Sequence, residues 1–494
     1  MIEWGISSGS HDAALSIVKG NELIFASQSE RFSGIKNDKE LCDALIEYGL
    51  NFGHPDNLYF YENILLKKSR YLFSKQYNLL LKNNKKNVLK KLKWHGINNN
   101  IKSTDHHISH AAGGYYTSQF DEAAVLVIDA IGEWDTTSIW CGDKNSLTKK
   151  WSTVYPNSLG LWYSAMTQRI GLKPNEEEYI LMGMACLGDP NKYYDDIKKT
   201  FFHNCKNLFK LKRNLHKGCL DWHPNENLYY NYDVAAATQK IFEEEIIKLV
   251  YYTKKISNSN YLILSGGCAL NCVANTKIAN LGLFRDIWIM PNPGDAGSSL
   301  GCILANKNKH INWKGALLGY DMGGQYPLYR VFKELINNKI VGVVAGRAEF
   351  GPRALGNRSI LADPRGDNIK DLVNSIKRRE EFRPFSPAIL EEHVHDYFEM
   401  PTTVNSSPYM QYVAKCKYPD KFPAIVHYDN SSRVQTVNKQ EFPDFYKLLK
   451  LWYEETGCPM LLNTSLNVKG YPLVNDFHDA YVFSKYNQNI KIVY

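Results

Sequence analysis

Short apolar runs broken by polar turns open the chain. Glu3–Ser7, Ala13–Val18 and Leu23–Ser29 read as three strands, with Ser8-Gly9-Ser10-His11-Asp12 and Lys19-Gly20-Asn21 as the turns between them. The pattern returns further on. Ala123–Ile128, Thr136–Cys141 and Lys149–Val154 read as strands, joined by Asp129-Ala130-Ile131-Gly132-Glu133 and Gly142-Asp143-Lys144-Asn145. Two similar three-strand units predict duplication of one α/β fold.

Between the units lies a Lys-rich helical segment, then Asp105-His106-His107-Ile108-Ser109-His110-Ala111-Ala112. Residues 155–255 are predicted mostly helical, with the best helical period over Ala235–Tyr251. Strand Tyr261–Leu264 runs into Ser265-Gly266-Gly267, and strand Asp286–Met290 into Pro291-Asn292-Pro293-Gly294-Asp295-Ala296-Gly297. Strand ends followed by glycine turns and helices are ligand sites in α/β folds. Duplicated units of this kind build the actin-like and sugar-kinase-like ATPase folds. A boundary is expected within residues 322–335, after Gly323-Gly324-Gln325-Tyr326-Pro327, and strand Lys339–Ala345 then begins a second domain.

The chain has 494 residues, 44% hydrophobic and 22% charged, as expected of a globular enzyme of two or three domains. Its apolar runs are strand-length, far short of the roughly 20 residues of a membrane span. Met1-Ile2-Glu3-Trp4 lacks the basic and apolar regions of a signal peptide. A cytoplasmic protein with no membrane partner is therefore expected. Ten cysteines without paired spacing predict reduced thiols. Cys268 and Cys272 have no second pair nearby to complete a zinc site. The net charge is +8, and ten lysines and arginines with no acid lie between Lys67 and Lys93. A second basic run spans Lys198–Lys217. Such runs bind nucleic acid or phosphorylated substrates, or are solvated helix faces.

Three stretches suggest an oxyanion site. Glu349–Arg365 combines Gly351, Pro352, Gly356 and Pro364 with Arg353, Arg358 and Arg365. Glycine lets backbone amides approach a ligand, and arginine grips phosphate or carboxylate bidentately. Lys377–Phe385 adds four cations, and Leu462–Asn467 supplies amides and hydroxyls. His106 and His110, four apart, share one face of a helix at a reach suited to one cation. His107, on another face, is a candidate second-shell or substrate group. Asp129 and Asp295 each sit at a strand end beside a glycine turn, where a carboxylate either points into a cleft or caps its own turn. Two histidines with one or two carboxylates suit Fe(II), Mn(II) or Zn(II).

Taken together, the motifs resemble one family: the O-carbamoyltransferases of the NodU, cephalosporin carbamoyltransferase and tobramycin carbamoyltransferase type. The resemblance rests on His11-Asp12, Ser29-Glu30-Arg31-Phe32, His106–Ala111, Gly132-Glu133-Trp134, Ser265–Cys272, Asn292–Gly297, Glu349–Arg365, Phe382–Pro387, Arg433-Val434-Gln435-Thr436 and Leu461–Val468, in that order. It implies an α/β protein with a duplicated actin-like, threonylcarbamoyl-transferase-like domain over 1–325. A YrdC-like α/β domain follows over 335–494. It further implies that the second domain makes carbamoyl adenylate from ATP and carbamoyl phosphate, with Mg(II) a candidate companion of ATP. A divalent transition metal, expected as Fe(II) and held by His106, His110, Asp295 and Asp129, then orients that intermediate for attack by an acceptor hydroxyl.

The same resemblance implies residue roles. His11 and Asp12 are candidate bases, His11 favoured by its ordinary pKa, and Lys36 is a phosphate partner. Gly266, Gly267, Asn271 and Gly294 would lie against the nucleotide. Arg353, Lys377, Arg383, Arg433, Ser465 and Asn467 would hold carbamoyl phosphate. Three positions depart from the family pattern: Ala130 for a glycine, Asn37 for a histidine, and Tyr471 for an acid. The competing readings are a tRNA threonylcarbamoyladenosine-type transferase and a non-catalytic nucleotide-binding regulator. The acceptor is a hydroxyl on a sugar, antibiotic or other natural product, or a hydroxymethylated pyrimidine of DNA or a nucleotide. The sequence leaves that choice and the oligomeric state open.

Overall fold

The computed structural model describes residues 1–204, 208–366 and 368–494, so Lys206 of the second basic run lies outside them. Strands β1 (Ile2–Ser7), β2 (Ala14–Lys19) and β3 (Glu22–Gln28) form an antiparallel meander, with Trp4 opposite Ile17 and Ser16 opposite Ala26. With β4 (Asn57–Phe60) and β5 (Ile101–Ser103) the sheet order is β3-β2-β1-β4-β5. The second meander comprises β6 (Glu122–Ile128), β7 (Asp135–Asp143) and β8 (Ser146–Val154). Strand β9 (Tyr261–Ser265) pairs parallel with β6, and β10 (Asp286–Trp288) parallel with β9, giving the order β10-β9-β6-β7-β8. In both sheets a meander is extended beside its first strand by two more strands. The predicted duplication therefore appears as a repeated strand order.

Sequence explains the place of each strand. Within β6 everything after Glu122 is buried, as a continuous apolar run with neighbours on both sides requires. Strand β8 ends its sheet and carries exposed Lys149 and Lys150, charges that discourage further pairing.

The C-terminal part contains β11 (Leu317–Asp321), β12 (Ile340–Val344), β13 (Arg347–Glu349), β14 (Arg358–Ala362) and β15 (Ser386–Leu390). It continues with β16 (Phe398–Glu399), β17 (Tyr412–Cys416), β18 (Ser431–Val437), β19 (Met460–Ser465) and β20 (Ile492–Val493). Eight of these strands form one mixed sheet in the order β16-β17-β18-β15-β19-β14-β12-β20, and β11 pairs with β13. Ile360, Ile389, Val434 and Leu462 are among its buried core residues. By contacts the chain divides into two compact units. One comprises residues 1–58, 88–100 and 311–494, the other residues 59–87 and 101–310.

Helices fill residues 155–255 less fully than expected. Leu159–Arg169, Glu178–Met184, Asn191–Phe201 and Tyr232–Ser257 are helical, but the described part of 202–231 is irregular. Turn bonds such as Gly218 N to Leu215 O hold it, and Arg169 donates to Trp222 O and His223 O. The long helix Tyr232–Ser257 starts where the Asn231 side chain accepts from Val234 N and stops at Asn258 in the left-handed conformation. Among the described residues no helix is long and apolar enough to cross a membrane.

The helix His106–Tyr115 lies against the helix Ser298–Lys307 at a glycine crossing. A Cβ on Gly301 would meet Ser109 O at 1.8 Å, and one on Gly113 would meet Gly301 Cα at 3.4 Å. Backbone on both sides cannot yield as a side chain does. Gly301→Ala is therefore expected to push the two helices apart at a cost of about 1–3 kcal/mol, lowering Tm by about 5 °C. An unchanged melting curve would show that the crossing is loose.

Candidate metal centre and anion site

The His106–Tyr115 helix brings both imidazoles to one point. His106 Nε2 and His110 Nε2 are 3.0 Å apart. Asp129, just past β6, places Oδ2 3.3 Å from His106 Nε2 and 3.9 Å from His110 Nε2. Asp295, in the turn after β10, places Oδ1 3.4 Å from each. All four residues are buried, and their four ligand atoms lie within 4.8 Å of one another.

The donor set fits a divalent cation. Ligands bound to one ion at about 2.0–2.2 Å sit roughly 3 Å from each other. Two buried carboxylates also need compensating charge. His110 is already fixed for coordination: Nδ1 lies 3.2 Å from Pro293 O and 3.1 Å from Ser298 Oγ. A carbonyl only accepts, so Nδ1 carries the proton and Nε2 presents its lone pair to the cluster. Asp129 is oriented by Gly267 N, which donates to Oδ1 at 3.2 Å. Burial opposes charge on His106, but Asp295 and Asp129 prevail and hold its pKa well above the imidazole range. Burial likewise opposes the Asp129 carboxylate, and its bond to His106 overcomes that, holding the pKa below the usual range. These opposed shifts describe a site charged for a cation.

Three residues that support this centre, Glu133, Pro293 and Ser298, have no role of their own in the sequence reading. Glu133 accepts from His106 N through both carboxylate oxygens at 3.0 Å, placing a negative charge at the start of the helix. It also takes Asn63 N at 2.6 Å, and burial raises its pKa. Pro293 O and Ser298 Oγ orient His110. Glu133 and Pro293 fall inside the motifs that carry the family resemblance, but nothing local in the sequence says what they hold. His107 is also buried, with Nδ1 2.7 Å from Ser138 Oγ. That hydroxyl also accepts from Trp140 Nε1 at 2.8 Å. His107 Nε2 is buried with no hydrogen-bond partner among the described residues. Burial, then His106 and His110, pushes the His107 pKa well below the usual range, so the ring is neutral.

The proposed nucleotide contacts lie in the same unit. Gly266, at φ +87°, donates its N–H to Pro293 O, and a Cβ there would meet Ile128 O at 2.3 Å, so only glycine fits. A Cβ on Gly294 would meet only Gly267 Cα, at 3.9 Å, so the space between these two turns holds no side chain within 4 Å. Asn271 is fully engaged: Oδ1 caps the helix Cys272–Asn280 through Ala274 N, and its amide exchanges bonds with Gln239. Its place beside a nucleotide would therefore rest on shape rather than on a free amide.

His11, Asp12 and Lys36 belong to the other unit. His11 Nδ1 lies 3.2 Å from Asp12 Oδ2, and both side chains are partly exposed. Lys36 Nζ bonds both carboxylate oxygens of buried Glu30, at 2.9 and 3.1 Å.

That unit also holds the anion residues. Lys377 ends the helix Ile369–Lys377 and is buried. Its Nζ donates to Ser465 Oγ at 2.9 Å, Asn467 Oδ1 at 2.8 Å, Asn467 O at 3.2 Å and the Ser465 carbonyl. All four acceptors are neutral. Burial, then Arg379 and Arg383, pushes the Lys377 pKa well below its ordinary 10.5. Arg383 pairs with Glu380 at 3.3 Å, and Arg433 Nε donates to Ser386 Oγ at 3.3 Å. Against burial, Lys469 and Arg383 hold the Glu380 pKa down at about 2. Register gathers these groups: Ser386 is opposite Asn463, and Ser465 opposite Ser359 at the start of β14. The Gly351–Asn357 turn with Arg353 thus enters the sheet at the end that carries Ser465, Ser386 and Arg433.

The other two arginines of the Glu349–Arg365 stretch do different work from an oxyanion grip. Arg358 is fully buried and donates to five carbonyls, those of Asn475, Ala345, Asn357, Tyr320 and Gly346. Burial lowers its pKa to about 10. Arg365 is paired with Asp363 through Nε and Nη2. Glu349 completes the turn by accepting from the backbone of Leu355, Asn357 and Arg358.

Comparison with known proteins covers nearly the whole chain. Residues 3–304 match the model described as carbamoyltransferase N-terminus, and residues 332–493 that described as carbamoyltransferase C-terminus. Uncharacterized protein sll1178 of Synechocystis sp. is 35% identical over 97% of this chain and 93% of its own length. Nodulation protein NolNO of Sinorhizobium fredii is 28% identical over 95% of this chain and 76% of its own. Among solved structures, the activator of the 2-hydroxyisocaproyl-CoA dehydratase from Clostridium difficile aligns at TM-score 0.35 and 12% identity, over 62% of this chain and 96% of that one.

Proposed function

The chain belongs to the carbamoyltransferase family, and from that premise we propose that it is an ATP-dependent O-carbamoyltransferase fed by carbamoyl phosphate. In this reading residues 335–494 hydrolyse carbamoyl phosphate with one water to carbamate and phosphate, then join carbamate to the AMP moiety of ATP as carbamoyl adenylate, releasing pyrophosphate. Residues 1–325 transfer the carbamoyl group. The acceptor hydroxyl attacks the carbamoyl carbon, its proton passes to a base, for which His11 and Asp12 are the candidates, and AMP departs.

The observation that carries the reading is Lys377, a buried amine with only neutral hydrogen-bond partners and no counter-charge among them. A phosphate dianion would supply the missing charge, with Arg383, Arg433 and Arg353 as further grips. Adenylation answers a chemical need, because nitrogen donation makes a carbamoyl group a poor electrophile and AMP is a good leaving group. A divalent cation held by His106, His110, Asp129 and Asp295, with Fe(II) proposed, supplies Lewis acidity for the transfer. Gly267 and Gly294 leave backbone accessible beside that quartet, and the neutral His107 has its Nε2 unpartnered among the described residues.

The test is pyrophosphate release from ATP. Release that requires added carbamoyl phosphate, without any acceptor, is the expected result. Release that requires bicarbonate and threonine instead would move the chain to threonylcarbamoyl chemistry. No release under either condition would sink the adenylation step.

A further inference from the structure

The helix Ile64–Phe73 is inverted for a helix in water. Leu65, Leu66, Ser69, Leu72 and Phe73 fall on one face by helical spacing, and all are exposed, Leu65 by 79% and Phe73 by 64%. Its charged side is turned inward. Lys67 is half-buried and paired with Glu62 at 2.5 Å, and Arg70, 4% exposed, lies over the rings of Tyr71 and Tyr155 at 5.1 and 5.8 Å. Apolar exposure continues through Tyr77 at 62% and Leu81 at 93%. Of the five exposed leucines among the described residues, four lie here: Leu65, Leu66, Leu72 and Leu81, against Leu220 elsewhere. An apolar concentration of this kind marks an interaction surface.

Charge selects the occupant. Lys68, Lys75, Lys82 and Lys86 surround the apolar side chains and have no carboxylate partner among the described residues. No acid occurs between Lys67 and Lys93. We propose that this face docks on an anionic lipid bilayer surface. Leucine and phenylalanine enter the headgroup region while the lysines sit over anionic headgroups. A second copy is a poor occupant, because a chain of net charge +8 would bring cations against cations. Nucleic acid would satisfy the lysines and leave the leucines without apolar contact. The inference departs from the expectation of no membrane partner, and it does not depend on the carbamoyl-transfer reading.

Sedimentation with vesicles tests it. The full-length protein should pellet with phosphatidylcholine vesicles containing phosphatidylglycerol, not with pure phosphatidylcholine, and should be released by high salt. Replacing Leu65, Leu72 and Leu81 together by Ser should weaken partitioning at least about tenfold. These side chains are exposed, so the melting curve should hold. Replacing Lys68, Lys75, Lys82 and Lys86 by Gln, which touches no core residue, should remove the preference for anionic vesicles. Equal binding to both vesicles, or undiminished pelleting of either variant, would overturn the proposal. So would failure of the wild type to pellet, whether it stays monomeric or self-associates through this face.

Discussion

His110→Ala protein is expected to emerge from purification with far less bound transition metal than the wild type. His110 supplies one of four ligand atoms within 4.8 Å, and the contact of its Nδ1 with Pro293 O turns Nε2 to the cluster. Alanine removes the donor and leaves Asp129 and Asp295 buried with one imidazole fewer. Loss of groups that merely orient a ligand weakens metal binding about 10–100-fold, and losing the ligand itself should exceed that. His106→Ala should behave alike, because its Nε2 contacts both carboxylates. Elemental analysis of folded, gel-filtered protein gives the answer. Full metal occupancy in both variants would mean that the quartet is a hydrogen-bonded cluster and that the metal, if any, binds elsewhere.

The second large effect separates two half-reactions. Lys377→Ala and Arg383→Ala remove cations from the proposed carbamoyl phosphate pocket and should reduce pyrophosphate release by about 10²–10³-fold, the scale of losing one preorganised electrostatic contact. His110→Ala and Asp295→Ala leave that pocket intact. They should still release pyrophosphate slowly as carbamoyl adenylate hydrolyses, while mass spectrometry finds no carbamoylated acceptor. The two residue sets fall in different contact units, so damage to one is not damage to the other. If the metal-quartet variants release no pyrophosphate, or Lys377→Ala still carbamoylates an acceptor, the division of labour is wrong.

Much of this was legible in the sequence, for identifiable reasons. Strands β1–β3, β6–β8, β9 and β10 are short apolar runs stopped by glycine and aspartate turns, and turn residues are a local signal. The His106/His110 pairing follows from helical period alone. What holds those imidazoles does not: Pro293 is 183 residues from His110 and offers a backbone carbonyl, which any residue would. Arginine count misled in the Glu349–Arg365 stretch, since the same guanidinium that grips a ligand also grips carbonyls. Only burial tells Arg358, enclosed by five of them, from partly exposed Arg353. The orientation of the Ile64–Phe73 helix was equally hidden, because period shows that two faces differ and not which one turns inward.

The four metal-cluster residues enter the cell at different times. A chain leaves the ribosome N-terminus first, so His106, His110 and Asp129 are exposed long before Asp295 is made. An early metal ion would meet only three ligands, and Asp129 would still lack Gly267 N, which orients it. Coordination of a cation by all four would therefore be complete only after synthesis has passed Asp295. A cation so held would tie the turn after β10 to the helix His106–Tyr115, and its retention would report that both are in place.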